Sequence, residues 1–157
     1  MLTFQDMAKI KPPGFHGHHV IPVEICKMQS LAIIIGKAKF AGFDENDFER
    51  NGMLLPSNER NAVAFRLPMH RGSHCGYNRL VAERVSGFGG LPPNKVFQQI
   101  SLLQTALKSG LRAAGANLHI DREPLRANVD FSKMDDAIDR LYAVTEPDQL
   151  RFAREGC

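Results

Sequence analysis

Five of the six histidines in this chain lie in two clusters, and no other feature of the sequence constrains its fold as strongly. The first cluster holds His16, His18 and His19, and the second, far downstream, holds His70 and His74. Imidazole is the commonest neutral ligand of transition-metal ions and the side chain best suited to moving protons near neutral pH. We therefore expect the fold to bring the clusters together as two halves of one site.

The first cluster lies in GFHGHHVIPVEI, of which residues 17–25 alternate like a β-strand. Adjacent residues on a strand point to opposite faces, so His18 and His19 are poorly placed to bind one ion together. They are well placed to divide the work, with one imidazole binding a metal and the other facing a substrate. A pair of half-exposed histidines at a sheet edge is the alternative. Pro22 would place this strand at an edge or end it early.

The second cluster has helical spacing, because one turn separates His70 from His74. Residues four apart share a helix face, with Cβ atoms about 5–6 Å apart, which suits chelation by two imidazoles. Gly72 lowers the helix propensity, so His70 can precede a helix that Ser73 caps. Ordinary surface histidines are the alternative. With one histidine of the first cluster, the pair gives three nitrogen ligands and leaves a spare imidazole, as in catalytic rather than structural metal sites.

The basic charge of the chain is concentrated around the second cluster. The formal net charge is +3 over 157 residues, whereas residues 50–84 hold six arginines, no lysine and two glutamates. This concentration indicates an anionic partner such as phosphate, with solvated helix faces as the alternative. The three cysteines are widely spaced without a CxxC pair, which argues against a disulfide framework and a four-cysteine zinc site. No apolar run is long enough to span a membrane, and the N-terminus lacks the pattern of a signal peptide.

Hydrophobic periodicity predicts a single domain over residues 15–157, after a lead-in or linker over residues 1–14 that forms no element. A second short strand is predicted over GMLLP, and the segment SNERNAVAFRLP is ambiguous. The helices are predicted over residues 28–39, 73–87, 94–114 and 131–143.

Three segments, taken in order, resemble one known family. They are GHHVIPVEI, NGMLLP and LPMHRGSHCGYNRLV, and together they resemble the AHH or GHH-signature nucleases of the HNH/endonuclease VII superfamily, often found in bacterial polymorphic toxins. The resemblance covers about residues 15–85, with Gly17 where the signature has alanine. It implies an α+β fold: a ββα-metal finger over residues 15–87, made of a short β-hairpin and a helix, with additional helices over residues 90–157.

The resemblance also implies roles for individual residues. His19 would be the general base that activates water, and His18, His70 and His74 would bind one divalent ion (Mg, Mn, Zn or Ni). Asn51 would be the family asparagine that fixes the loop and orients the base. Asn61 competes for this role because it precedes the second cluster more closely.

Four further residues follow the second cluster's motif. Tyr77 and Asn78 match the YN that follows the last histidine and would support the helix, although Asn78 could instead reach the metal. Arg71 and Arg79 are candidates for phosphate contacts. His16 and His119 lie at spacings that add no ligand, and we assign them no role.

These features predict a metal-dependent endonuclease that hydrolyses phosphodiester bonds, with DNA preferred to RNA. The resemblance implies a toxin, a secreted effector domain acting in the target-cell cytoplasm, with an immunity protein as partner and a longer protein as its source. Two alternatives remain. One is a non-catalytic module that binds nucleic acid or a partner around a structural zinc, and the other is an enzyme acting on a different phosphate ester.

Overall fold

The computed structural model describes residues 1–70 and 75–117, and in this part of the chain it is a mixed α+β fold, as predicted. A two-stranded hairpin is surrounded by helices, and a 3-10 turn, Gln29–Leu31, precedes α3. In chain order the elements are α1 (Phe4–Ile10), β1 (Phe15–His19), α2 (Val23–Lys27), α3 (Ala32–Phe40), α4 (Phe48–Asn51), β2 (Gly52–Pro56), α5 (Glu59–Phe65), α6 (Cys75–Ser86) and α7 (Pro93–Asn117).

The hairpin joins two strands that are distant in the sequence. β1 pairs antiparallel with β2, in a register that sets Phe15 opposite Pro56 and His19 opposite Gly52. The prediction for β2 is confirmed, whereas the strand predicted over residues 17–25 is too long and starts too late. It ends at His19 because Pro22, with a φ of −61°, leads into α2 and offers no N–H for strand pairing.

The segment before the hairpin contains a helix that the sequence analysis did not expect. The prediction that residues 1–14 form no element is wrong for α1, which Thr3 and Asp6 start with a reciprocal capping box. The Phe4 amide donates to the Asn46 carbonyl at 3.2 Å, and the Phe48 amide donates to the Leu2 carbonyl at 2.8 Å. These bonds join α1 to the chain before α4. The division into a lead-in and one domain stays a prediction.

The core lies between α3, α6, α7 and the hairpin. Four apolar residues of α7 are fully buried and recur at intervals of three or four, which explains why the helix forms: Val96, Ile100, Leu103 and Leu107. The predicted helices over residues 28–39, 73–87 and 94–114 are confirmed in outline, and α5 resolves the ambiguous segment. The helix predicted over 131–143 lies outside the described residues. Within the described part, no helix is long and apolar enough to cross a membrane.

Candidate active site

His18 of the first cluster and His70 of the second lie together on one face of β1. His18 is 7% exposed, and its ring centroid lies 5.3 Å from that of His70 and 5.2 Å from that of Tyr77. The backbone amide of His70 donates to the Pro56 carbonyl at 2.7 Å, which joins the second cluster to the end of β2. The expectation that the fold brings the clusters together therefore agrees with the positions of His18 and His70.

His19 faces the opposite side of the strand, as the alternation of a strand requires. Its imidazole stacks on the Phe4 ring, with centroids 3.5 Å apart and planes 7° apart. Its Nε2 is buried and has no hydrogen-bond partner among the described residues. Because most buried polar atoms are partnered, this nitrogen is more typical of a functional site than of ordinary packing.

Burial also affects the ionisation of His19. Desolvation lowers the pKa of its imidazole, and the weaker influence of Glu24 and Glu45, which raises it, does not reverse that effect. A lower pKa favours the neutral ring. The neutral ring is the form that can accept a proton from water.

Asn51 fixes the turn that follows His19. Asn51 is fully buried, and its Nδ2 donates to the carbonyls of Ile21 at 3.0 Å and Glu45 at 2.9 Å. Its Oδ1 accepts from the Ile21 amide at 2.7 Å, and its backbone carbonyl accepts from the Val20 amide at 2.8 Å. Hydrogen bonds from both the side chain and the backbone carbonyl of Asn51 therefore hold the backbone immediately after β1.

Tyr77 holds the same turn from the helix side. Its hydroxyl donates to the Val20 carbonyl at 2.6 Å, and the residue is 2% exposed. Burial raises the pKa of this hydroxyl, so it remains a protonated donor. Asn78 follows it on α6 and is half-buried.

The competing asparagine lies at the other end of the hairpin. The Nδ2 of Asn61 donates to the Gly14 carbonyl at 3.2 Å, just before β1 begins. Gly14 adopts a φ of +78°, and a Cβ there would meet the amides of Asn58 and Asn61. Asn61 thus supports the entry to β1, and Asn51 is the asparagine next to the histidines.

The remaining residues considered in the sequence analysis either lie at the surface or fall outside the described part of the chain. Arg79 is exposed on α6 and forms a long ion pair with Glu83, with nitrogen and oxygen 4.0 Å apart. His74 and Arg71 lie outside the described residues, as does His119. His16 is exposed, with its ring centroid 5.8 Å from that of His70.

A groove of about 350 Å³ runs between α1 and the edge of the hairpin. Its lining includes His16 and His70, together with Met7 of α1 and Lys11, which directly follows that helix. The groove therefore opens beside the residues that the two clusters bring together.

The imidazoles of His18 and His70 could supply two ligands to a metal ion. Within residues 1–70 and 75–117, no group of three or more histidine, cysteine or acidic side chains is arranged to hold one. Two neutral nitrogen donors on one face fit a divalent transition ion. The third predicted ligand, His74, falls outside the described part of the chain.

Two residues at the site were missed by the sequence analysis. Gln104 of α7 is 5% exposed, and its Nε2 donates to the Oδ1 of Asn51 at 3.1 Å. A single polar residue within the apolar stripe of α7 was the available signal. Phe4, which covers His19, lies between Thr3 and Asp6, and the spacing of these two residues matches a capping box.

The described architecture is that of an α+β protein with a ββα-type core, in which β1 carries His18 and the segment between α5 and α6 carries His70. A family model, described as a nuclease family of the HNH/endonuclease VII superfamily with conserved AHH, matches residues 3–90. Because this match covers more than half of the 157 residues, the chain belongs to the AHH nuclease family. No curated protein and no solved structure matches the chain significantly.

Gly17 stands where the family signature has alanine, and the packing around this residue does not require a glycine. A Cβ built on Gly17 would lie 3.4 Å from ring atoms of both Phe4 and Phe48. That distance is at the tight end of ordinary contact. An alanine at this position would therefore also fit, in contact with both aromatic rings.

Proposed function

We propose that this nuclease is a metal-dependent endonuclease that hydrolyses phosphodiester bonds, with DNA preferred to RNA. Family membership supports the nuclease activity. The observation that supports a general base and a separate metal site is the opposite orientation of the two adjacent histidines on β1. His18 faces His70, while His19 faces away from them, and its Nε2 has no hydrogen-bond partner in the described part of the chain.

In this mechanism, His19 accepts a proton from the water whose oxygen attacks the phosphorus. The phosphorus–O3′ bond breaks, and the leaving O3′ takes a proton from solvent water, which gives a 3′-hydroxyl and a 5′-phosphate. Asn51 and Tyr77 hold the backbone after His19 and so keep the base oriented. General-base catalysis of this kind raises the reaction rate by roughly 10²–10⁴-fold.

His18 and His70, with His74 as the third predicted ligand, would hold the divalent ion. When bound, such an ion supplies neutralisation of the charge at the reacting phosphate, worth several kcal/mol. Arg79 is exposed, and we propose that it and Arg71 contact phosphates of the substrate. Such contacts would make binding weaken as salt increases.

Cleavage of a supercoiled plasmid and a folded RNA, each with Mg, Mn, Ni or Zn and with a chelator control, tests this proposal. We expect metal-dependent nicking of the plasmid. The adjacent histidines provide a matched pair, because His19→Ala should retain metal and lose cleavage, whereas His18→Ala should lose both. Metal content is measured on the same preparations.

Three results would contradict the proposal. Cleavage at the wild-type rate by metal-loaded His19→Ala would show that His19 is not the general base. Unchanged metal content in His18→Ala would show that His18 does not bind the metal. Absence of cleavage with every metal, together with unfolding on chelation, would favour a non-catalytic module built around a structural zinc.

We further propose that the domain acts as a secreted bacterial effector in the target-cell cytoplasm, countered by an immunity protein. The resemblance of its motifs to polymorphic-toxin nucleases supports this role. Cytoplasmic expression of the wild-type chain should stop bacterial growth, whereas His19→Ala at equal abundance should not. Equal toxicity of the two chains would contradict an effector role based on hydrolysis.

A further inference from the structure

The C-terminal helix contributes a buried amide to the site. Gln104 lies on α7, Pro93–Asn117, beyond the residues 3–90 that the family model matches. It is 5% exposed, and its Nε2 donates to the Oδ1 of Asn51 at 3.1 Å. A buried polar side chain in an apolar helix face costs stability unless it is hydrogen-bonded. This glutamine therefore has a specific partner, and that partner is the asparagine at the site.

The Gln104 amide completes the hydrogen bonding of the Asn51 side chain. An asparagine amide offers two donors and an oxygen with two lone pairs. The donors are used by the carbonyls of Ile21 and Glu45, and the lone pairs by the Ile21 amide and by Gln104. The reversed orientation of Asn51 would set its NH₂ group against two donors, so Gln104 helps to fix which way this side chain points.

We propose that Gln104 is a positioning residue for the hydrolysis reaction, an inference that rests on the proposed function. It acts through Asn51 on the Val20–Ile21 turn, which directly follows the general base His19. Lys108, one turn further along α7, donates to the Glu49 carbonyl at 2.9 Å. The helix is thus joined to α4 at two points, which holds the Gln104 amide in place.

Gln104→Met is the central test, because methionine keeps the size of the side chain and removes its donor. We expect about a three- to tenfold lower kcat with KM little changed, because one neutral hydrogen bond to a positioning group is lost. We also expect several-fold faster hydrogen exchange at the Ile21 amide, whose acceptor is held less firmly. Exchange at the Leu80 amide of α6 serves as the reference for global opening.

Thr105→Val is the matched control on the same helix. Its hydroxyl donates only to the Ser101 carbonyl one turn back, and the residue is exposed. This variant should match the wild type in kcat, in KM and in Ile21 exchange. If Gln104→Met unfolds the chain, Gln104→Leu with the same measurements replaces it.

The outcomes separate this inference from the nuclease proposal. If the wild type cleaves and Gln104→Met equals it in kcat and in Ile21 exchange, the positioning role is wrong and the nuclease proposal stands. Equal acceleration of exchange at Ile21 and Leu80 would also overturn it, since the residue would then be merely structural. Absence of cleavage by the wild type would overturn the nuclease proposal and, with it, this role.

Discussion

Replacing Tyr77 with phenylalanine removes one buried hydroxyl and should measurably destabilise the protein. The hydroxyl donates to the Val20 carbonyl at 2.6 Å, and Tyr77 is 2% exposed. The ring and its packing remain, so the loss is confined to one hydrogen bond and a carbonyl left without this donor. Such a loss is worth about 1–3 kcal/mol. A value near the middle, about 2 kcal/mol, corresponds to a fall in Tm of roughly 4–8 °C for a chain of this size.

Urea unfolding followed by far-UV circular dichroism measures this change in the free energy of unfolding. Ser86→Ala is the matched control on the same helix, because its hydroxyl donates to the Glu83 carbonyl at 2.7 Å but is exposed. Water replaces that bond, so we expect a change within about 0.5 kcal/mol. Equal losses in the two variants would refute the argument that burial determines the value of the bond.

Three further predictions follow from local geometry. Gly52→Ala should destabilise the fold strongly, because a Cβ there would collide with the ring and the backbone carbonyl of Phe48. Gly36→Ala should stabilise it by about 0.5–1 kcal/mol, because this position in α3 has no atom within 4 Å of the new Cβ. Thermal unfolding of both variants measures whether each substitution raises or lowers the stability. A destabilised Gly36→Ala would contradict the packing described. Burial raises the pKa of the Cys26 thiol to about 11, so its thiolate fraction at pH 8 should be about a hundredfold below that of an ordinary thiol. Peptide mapping after alkylation should show slow labelling of Cys26 that accelerates as the pH rises, and rapid labelling at pH 8 in the folded chain would contradict this.

The elements that the sequence predicted best are those with local signals. The apolar spacing of α7 and the short run GMLLP have counterparts in the structure. The opposed faces of His18 and His19 follow from strand geometry alone. The first strand was extended too far because Val20 and Ile21 continue its apolar pattern, yet both are buried in a turn that Asn51 holds.

The connections around the site could not be predicted in this way, because they join residues distant in the sequence. Asn51 reaches Ile21 across 30 positions, and Gln104 reaches Asn51 across 53. No periodicity encodes such pairs, since they depend on how elements distant in the sequence pack together. The short helix α1 was missed because its capping spacing is brief and a proline pair soon follows.

The dependence of the Asn51 network on α7 has a consequence for how the protein is made. A chain leaves the ribosome from its N-terminus and folds in that order, so the hairpin emerges well before residues 93–117. We expect a nascent chain to present its histidines on a core that still lacks its main apolar cover. Catalytic competence would then arise only after residues 93–117 have emerged and the helix has docked.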